Sequence, residues 1–453
     1  MIVRKCKRDK MDKYVEIAIK NNQISPEHYK KYNVKRGLRN EDGSGVLVGL
    51  TEIGDVHGYI MDESEKVPVE GRLRYRGIDV RDLVEGFQIE GRSGFEEVVY
   101  LLLFGQLPSK EEYNYFYKTL GNLRQLPKGF TEDMILNTPS NNIMNKLARS
   151  VLASYSFDKD PENSSIANVL KQTISLIASF PTIVAQAYQA KRHYYDHESL
   201  FLHTPDPELT TAQNFLSLIR HDMQYTELEA ELLDLSLVLH AEHGGGNNSA
   251  FTIHVVSSAM TDTYSTITAG IASLKGDRHG GANIKVHNMF ADIKANVKDW
   301  SNEKEIKDYL VRMLHKEVYD KSGLIYGLGH AVYTVSDPRA VLLKKKAEML
   351  AREKGMLDEF HLYEAVEALG VEAFQEYKNI DTPMSANVDF YSGFVYRMLN
   401  IPTDLYTPLF AISRIAGWSA HRIEELVKGG KIMRPAFKNV SKRKPYIPLD
   451  ERG

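Results

Sequence analysis

Five stretches of the chain place histidine, arginine or aspartate where those side chains could do chemistry. In LHAEHGGGNNSAF (239–251), His240 and His243 precede three glycines. Glycine has no Cβ, so this backbone can approach a ligand closely and turn N–H groups toward it. The plainer reading is a helix end with a solvated histidine at its negative pole. In LKGDRHGGANIKV (274–286), His279 stands directly before Gly280 and Gly281. A histidine in such a turn can be held in one tautomer by backbone hydrogen bonds, or it is simply a loop residue. In YGLGHAVYTVSDPRA (326–340), His330 follows Gly327 and Gly329, and Arg339 opens a helix. A cation there opposes the helix dipole, and a bound carboxylate would offset the conflict. In ANVDFYSG (386–393), Asp389 lies between Val388 and Phe390. Burial would raise its pKa and make it a stronger base, although an aspartate there also suits a helix cap or turn. Arg414 sits among apolar neighbours in LFAISRIAGW, and Arg434 precedes Pro435. A buried arginine needs a carboxylate or phosphate partner; a surface salt bridge is the simpler alternative for each.

Helices must carry most of these groups. Phe95, Val98, Val99, Leu102 and Leu103 follow helical spacing, with Gly105 at the end. Ser109 and Glu112 read as a capping box. Leu228, Leu232, Leu235 and Leu239 form a stripe stopped by Gly244, Gly245 and Gly246. Asp337 and Pro338 read as N-cap and first residue of a helix closed by Gly355. Thr407 and Pro408 suggest the same start for a helix running to Gly429 and Gly430. Strand signal is confined to VLVGLTEIG, VHGYIMD and GRLRYRGI, near residues 46–78. No βαβ alternation and no Rossmann glycine pattern follows a strand. The class is therefore mainly α, with a small N-terminal β-hairpin.

Composition excludes several other classes. With 453 residues, 43% of them hydrophobic and 26% charged, the chain can bury a core without metals or disulfides. A formal net charge of −3 gives no global case for nucleic acid or membrane binding. The single cysteine, Cys6, excludes an intramolecular disulfide and a thiolate-rich zinc site. It fits a reducing compartment. The first residues lack the apolar core of a secretory signal. No apolar run approaches the ~20 residues that span a bilayer. The expectation is a soluble, cytoplasmic protein whose basic stretch, Lys438 to Lys444, is a solvated tail.

Together with GRLRYRGIDVRDL (71–83) and FEEVVYLLLFGQLP (95–108), the five segments resemble the citrate synthase family over roughly residues 70–437. The resemblance implies an almost all-helical homodimer. It implies a large domain of residues 1–278 plus 388–453, and a small domain, 279–387, that closes over the cleft. It implies condensation of acetyl-CoA with oxaloacetate and hydrolysis of citryl-CoA to citrate and CoA. Acetyl-CoA would be a substrate, and no cofactor or metal is implied. Asp389 would be the base, His279 the hydrogen-bond donor to the enolate, and His330 the group polarising the oxaloacetate carbonyl. His243, Arg339, Arg414 and Arg434 would hold oxaloacetate or citrate, with Arg434 reaching across the dimer. Leu328, Gly329, Ala331 and Lys344 are placed near CoA; Arg72, Arg74 and Arg76 are further candidates for its phosphates. The chain departs from the family pattern at Asp277-Arg278, a charge pair expected to disturb His279. The nearest alternative is a 2-methylcitrate synthase using propionyl-CoA. A more distant one is a metal hydrolase built on His240, His243, His279 and His330.

Overall fold

Short-range signals decide where most helices begin and end. The computed structural model describes residues 2–40, 43–62, 65–381 and 383–452, and helices dominate it. The antiparallel sheet has the order β1 (Gly54–Asp62), β2 (Glu65–Tyr75), β3 (Ile78–Asp79). Residues 46–53, read as strand from their apolar content, lie outside it. Helix α1 (Phe95–Phe104) ends at Gly105, whose φ of 80° is the left-handed cap that its sequence suggests. Helix α2 (Lys110–Leu123) opens with the Ser109–Glu112 capping box. The remaining elements that matter for the site are α3 (Ile166–Tyr195), α4 (Glu227–His240), α5 (Asn248–Ser257), α6 (Thr263–Leu274), α7 (Ala282–Asn296), α8 (Pro338–Glu353), α9 (Leu357–Lys378), α10 (Val388–Met398) and α11 (Tyr406–Val427).

Two helix boundaries differ from the sequence expectation. Helix α4 stops at His240, before the three glycines, because other elements take its last carbonyls. The Tyr75 hydroxyl lies 2.9 Å from the Val238 carbonyl, and Arg414 Nε donates to the His240 carbonyl at 2.6 Å. Helix α11 begins at Tyr406, directly after a 3₁₀ turn over Thr403–Leu405. Thr407 and Pro408 therefore lie inside its first turn, where proline's missing N–H leaves no bond unmade.

Residues 51–433 form one compact unit, and residues 1–50 with 434–453 form another. The boundaries 278/279 and 387/388 fall inside the first unit, at the loops that precede α7 and α10. At its centre α11 packs on α1, α3, α4, α5 and α6, with Trp418 fully buried. Gly417 permits the closest approach: a Cβ there would stand 2.6 Å from the Ala241 carbonyl oxygen and would strike the Glu242 carboxylate. In the terminal unit, Lys438 lies over the Tyr32 ring, and the basic stretch that follows is exposed apart from Val440. No helix among the described residues is long and apolar enough to cross a membrane.

Candidate active site

The end of α4, the turn after it and the interior of α11 supply the first groups. His240 and Arg414 are buried, at 1% exposure each. The His240 ring lies against Phe410, with centroids 4.5 Å apart, and the Arg414 guanidinium covers the same ring at 4.6 Å. With Nε committed to the His240 carbonyl, Arg414 keeps two terminal guanidinium nitrogens that are buried and without a hydrogen-bond partner. His243 Nε2 is likewise buried and unpartnered. Burial, reinforced by the charges of Arg339 and Arg414, holds His243 well below the ordinary histidine range, so it is neutral. Burial also lowers Arg414, to about 10, against the attraction of Glu242.

The loop before α8 supplies the next two groups. Val332 and Tyr333 both donate their N–H to His330 Nδ1, at 3.1 Å. An accepting Nδ1 leaves the ring's hydrogen on Nε2. The His330 ring stacks on Tyr333 at 4.8 Å, and His243 meets it edge-on at 5.2 Å. Asp337 caps α8 as expected, accepting the Arg339 N–H at 3.0 Å. Its carboxylate also grips the Arg339 side chain at both ends, through Nε at 3.0 Å and Nη2 at 2.8 Å. Thus the dipole conflict anticipated for Arg339 is already offset from within the chain, and Arg339 is buried rather than turned to solvent.

A backbone lace joins this loop to Asp389. The Gly329 N–H donates to the Ser385 carbonyl at 2.8 Å, and the Asn387 N–H donates to the Gly327 carbonyl at 2.9 Å. Leu328 bridges Ala386 in antiparallel fashion. Asn387 caps α10 through the Asp389 N–H and donates its own amide to the Gly329 carbonyl, both at 3.0 Å. Asp337 adds a bond from the Val388 N–H at 3.2 Å. Gly327, at φ 85°, sits where a Cβ would meet Phe390 at 2.8 Å. Burial pushes the pKa of Asp389 up, to about 6; Asp337 adds to the rise, and Arg339 and Arg414 oppose it.

His279 stands just before α7, and its Nε2 lies 3.1 Å from Ser249 Oγ. Trp418 Nε1 donates to that hydroxyl at 3.0 Å, which fixes it beside the ring. In the tautomer that accepts from this hydroxyl, the ring hydrogen is on Nδ1. Nε2 then takes the Ser249 hydroxyl hydrogen, for which Asn247 Oδ1 at 2.9 Å competes. Burial, with Arg414, lowers His279 to about 4. Asp277 and Arg278 are exposed, so the disturbance expected from them gives way to burial and Arg414.

Arg414 is thus the hub: its charge acts on His240, His243, His279 and Asp389. The other anticipated contacts are scattered. Lys344 is paired with Glu364 and Glu367, at 3.3 and 2.9 Å. Arg74 is paired with Asp55 at 2.6 Å, and Arg76 donates to the Leu102 carbonyl. Ala331 and Arg72 are exposed. Arg434 lies in the terminal unit with an exposed side chain. Among the described residues, His240, His243, His279 and His330 form no metal-ligand group; His254, His421 and Glu424 do approach one another that closely.

The chain matches the family model described as citrate synthase, C-terminal domain, over residues 42–436. It belongs to the citrate synthase family. A citrate synthase of Haloferax volcanii is 32% identical over 424 residues, covering 92% of this chain and 99% of the relative. The 2-methylcitrate synthase 1 of Corynebacterium glutamicum is 33% identical over 428 residues, covering 92% and 98%. Among solved structures, the citrate synthase of Thermoplasma acidophilum, in a ternary complex with carboxymethyl coenzyme A and oxaloacetate, superposes with a TM-score of 0.74. It is 25% identical and covers 92% of this chain and 99% of that one. Family similarity therefore begins near residue 42, well before the GRLRYRGIDVRDL element that first signals it.

Three residues of this family member escaped the sequence reading as site components. Asp337 was legible as a cap, and its position two residues before an arginine at a helix start was the available clue to the clamp. Ser249 and Trp418 gave none, because the hydroxyl and the indole meet across 169 residues of chain.

Proposed function

We propose that this chain condenses acetyl-CoA with oxaloacetate and hydrolyses the citryl thioester to citrate and CoA. The observation that carries this reading is the buried Arg414 guanidinium, whose two terminal nitrogens lack a partner beside an equally unpartnered His243 Nε2. A buried cation of that shape calls for a carboxylate. Oxaloacetate offers two carboxylates and, between them, the ketone to be attacked.

In this mechanism the Asp389 carboxylate takes a proton from the thioester methyl group. Its raised pKa, about 6, makes it a stronger base than a solvated aspartate while leaving it ionised at neutral pH. His279 is neutral and directs its Nδ1–H at the enolate oxygen. A neutral donor matters, since an imidazolium would return the proton to Asp389. The enolate carbon then attacks the ketone carbon, and His330 Nε2–H protonates the oxygen as the C–C bond forms. Water cleaves the thioester, releasing CoA and the new carboxylate. The resemblance supplies two further elements: closure of 279–387 over the bound oxaloacetate, which restrains hydrolysis of the acetyl thioester before condensation, and Arg434 of a second copy in a homodimer.

Relatives of both kinds at nearly equal identity support a second reading, in which the acyl donor is propionyl-CoA. One methylene changes discrimination by only ~1–3 kcal/mol. Purified protein given acetyl-CoA or propionyl-CoA, with and without oxaloacetate, separates the readings by free-thiol release. Oxaloacetate-dependent release with higher kcat/KM for acetyl-CoA is expected. Preference for propionyl-CoA selects the second reading, and no release from folded protein with either overturns both.

A further inference from the structure

His254 on α5 and His421 on α11 are buried side by side, and none of the chemistry above uses them. Each ring has one nitrogen on a carboxylate. His254 Nδ1 donates to Glu425 at 2.9 Å, and His421 Nε2 donates to Glu242 at 3.0 Å. In a neutral imidazole this places the lone pair on the opposite nitrogen, which is the arrangement that prepares histidine to ligate a metal ion. The two opposite nitrogens, His254 Nε2 and His421 Nδ1, face each other at 3.1 Å. Two lone pairs at that distance repel unless a positive charge lies with them.

Three observations favour a metal ion over a shared proton as that charge. First, the ring centroids are 4.8 Å apart. Imidazoles meeting end-on at the observed nitrogen separation would stand farther apart, so the lone-pair axes are tilted off the nitrogen–nitrogen line, as two ligands of one ion are. Second, Glu424 provides a third donor. Its Oε1 is held by the Glu52 N–H at 2.7 Å, while Oε2, buried and without a hydrogen-bond partner, lies 3.9 Å from His421 Nδ1. One ligand atom from each of the three residues falls within 4.8 Å of the others. Third, Glu242, Glu424 and Glu425 surround the two rings. The basic groups facing them are Lys428, 2.7 Å from Glu425, together with Arg76 and Arg414.

We propose that His254 Nε2, His421 Nδ1 and Glu424 Oε2 bind one divalent cation of the zinc class. Two imidazoles and a carboxylate suit zinc or cobalt, whose bonds to histidine nitrogen are about 2.0–2.1 Å long. The ion joins α5 to α11, and through Glu242 it braces the turn that carries His243. It takes part in no reaction step, and the inference is independent of which acyl donor is used.

The test uses the untagged full-length chain, stripped by chelator and then desalted after incubation with excess zinc. One zinc retained per chain is expected. With cobalt instead, a visible d–d absorption band that saturates at one equivalent and is displaced by zinc is expected. Glu424→Gln should weaken zinc binding at least ten-fold, and His254→Gln should abolish it; Glu424→Gln is the safer fold control because its side chain is partly exposed. Absence of retained zinc and of a cobalt band in the folded native chain overturns the proposal and assigns the pair a shared proton. Equal retention by the native chain and both folded variants also overturns it, because the ion then binds elsewhere.

Discussion

Arg339 and Arg414 are both buried, yet they have opposite fates. Asp337 neutralises Arg339 through two bonds, whereas Arg414 reaches only a carbonyl and the face of Phe410. Removing one partner of a buried pair leaves the other charge stranded. Asp337→Ala is therefore expected to cost ~3–5 kcal/mol, read from denaturant unfolding; a loss below 1 kcal/mol would show that Arg339 finds another partner. Arg414→Lys replaces a planar fork with a point charge. Its expected signature is a rise of at least ten-fold in KM for oxaloacetate, with KM for the acyl-CoA far less affected. Asp389 makes a coupled prediction. Its carboxyl has a pKa raised to about 6 from an ordinary 3.8. The stabilisation this implies is fully present below the unfolded value and is lost as pH rises through about 6. Ionisation thus costs stability at the pH where activity needs it. Turnover should fall as pH drops below about 6. Asp389→Asn should lose 10²–10⁴-fold in kcat while unfolding at neutral pH no more easily than the native chain. Retained turnover would remove Asp389 as the base.

Elements meet the site through their ends. Helix α4 points its C-terminus, α7 and α8 their N-termini, and α10 its first turn with Asp389, while α11 contributes Arg414 from its interior. The N-terminus of α1 shows the same economy of partners away from the site. Asp234 on α4 accepts the N–H groups of Gly94, at 2.7 Å, and Phe95, at 3.3 Å. Burial, with Glu96 beside it, pushes Asp234 up to about 8. This raised acid stabilises the fold fully below its unfolded value and ceases to do so as pH rises through about 8. Asp234→Asn keeps an acceptor oxygen and removes the titration. The native chain is expected to lose stability between pH 6 and pH 9 relative to this variant, measured by thermal midpoints across that range. Parallel profiles for the two would dissociate Asp234 from the effect.

The whole molecule raises the question of Arg434, which lies outside the 51–433 unit that holds the other named site residues. If it acts from a second copy of the chain, an Asp389→Asn chain and an Arg434→Ala chain can complement each other. Each mixed dimer then has one site with both groups intact, so an equal mixture should recover about one quarter of native activity. No recovery after subunit exchange would place Arg434 in its own chain's site, or in none.

What the sequence determined on its own was local and chemical. The Asp337-Pro338 start, the Ser109–Glu112 box and the Gly105 stop were legible because capping depends on residues only a few positions apart. So were the segments bearing His243, His279, His330, Arg339, Asp389 and Arg414, whose residue types stand out against glycine or apolar surroundings. Tertiary structure alone decided where α4 ends, because Tyr75 and Arg414, distant in sequence, take its final carbonyls. It decided that Arg339 is paired and Arg414 is not, and that exposed Asp277 and Arg278 leave His279 to burial and Arg414. It also brought His254 to His421 across 167 residues of chain. The periodicity of either helix shows which face is buried, but the polar partner waiting there belongs to another element.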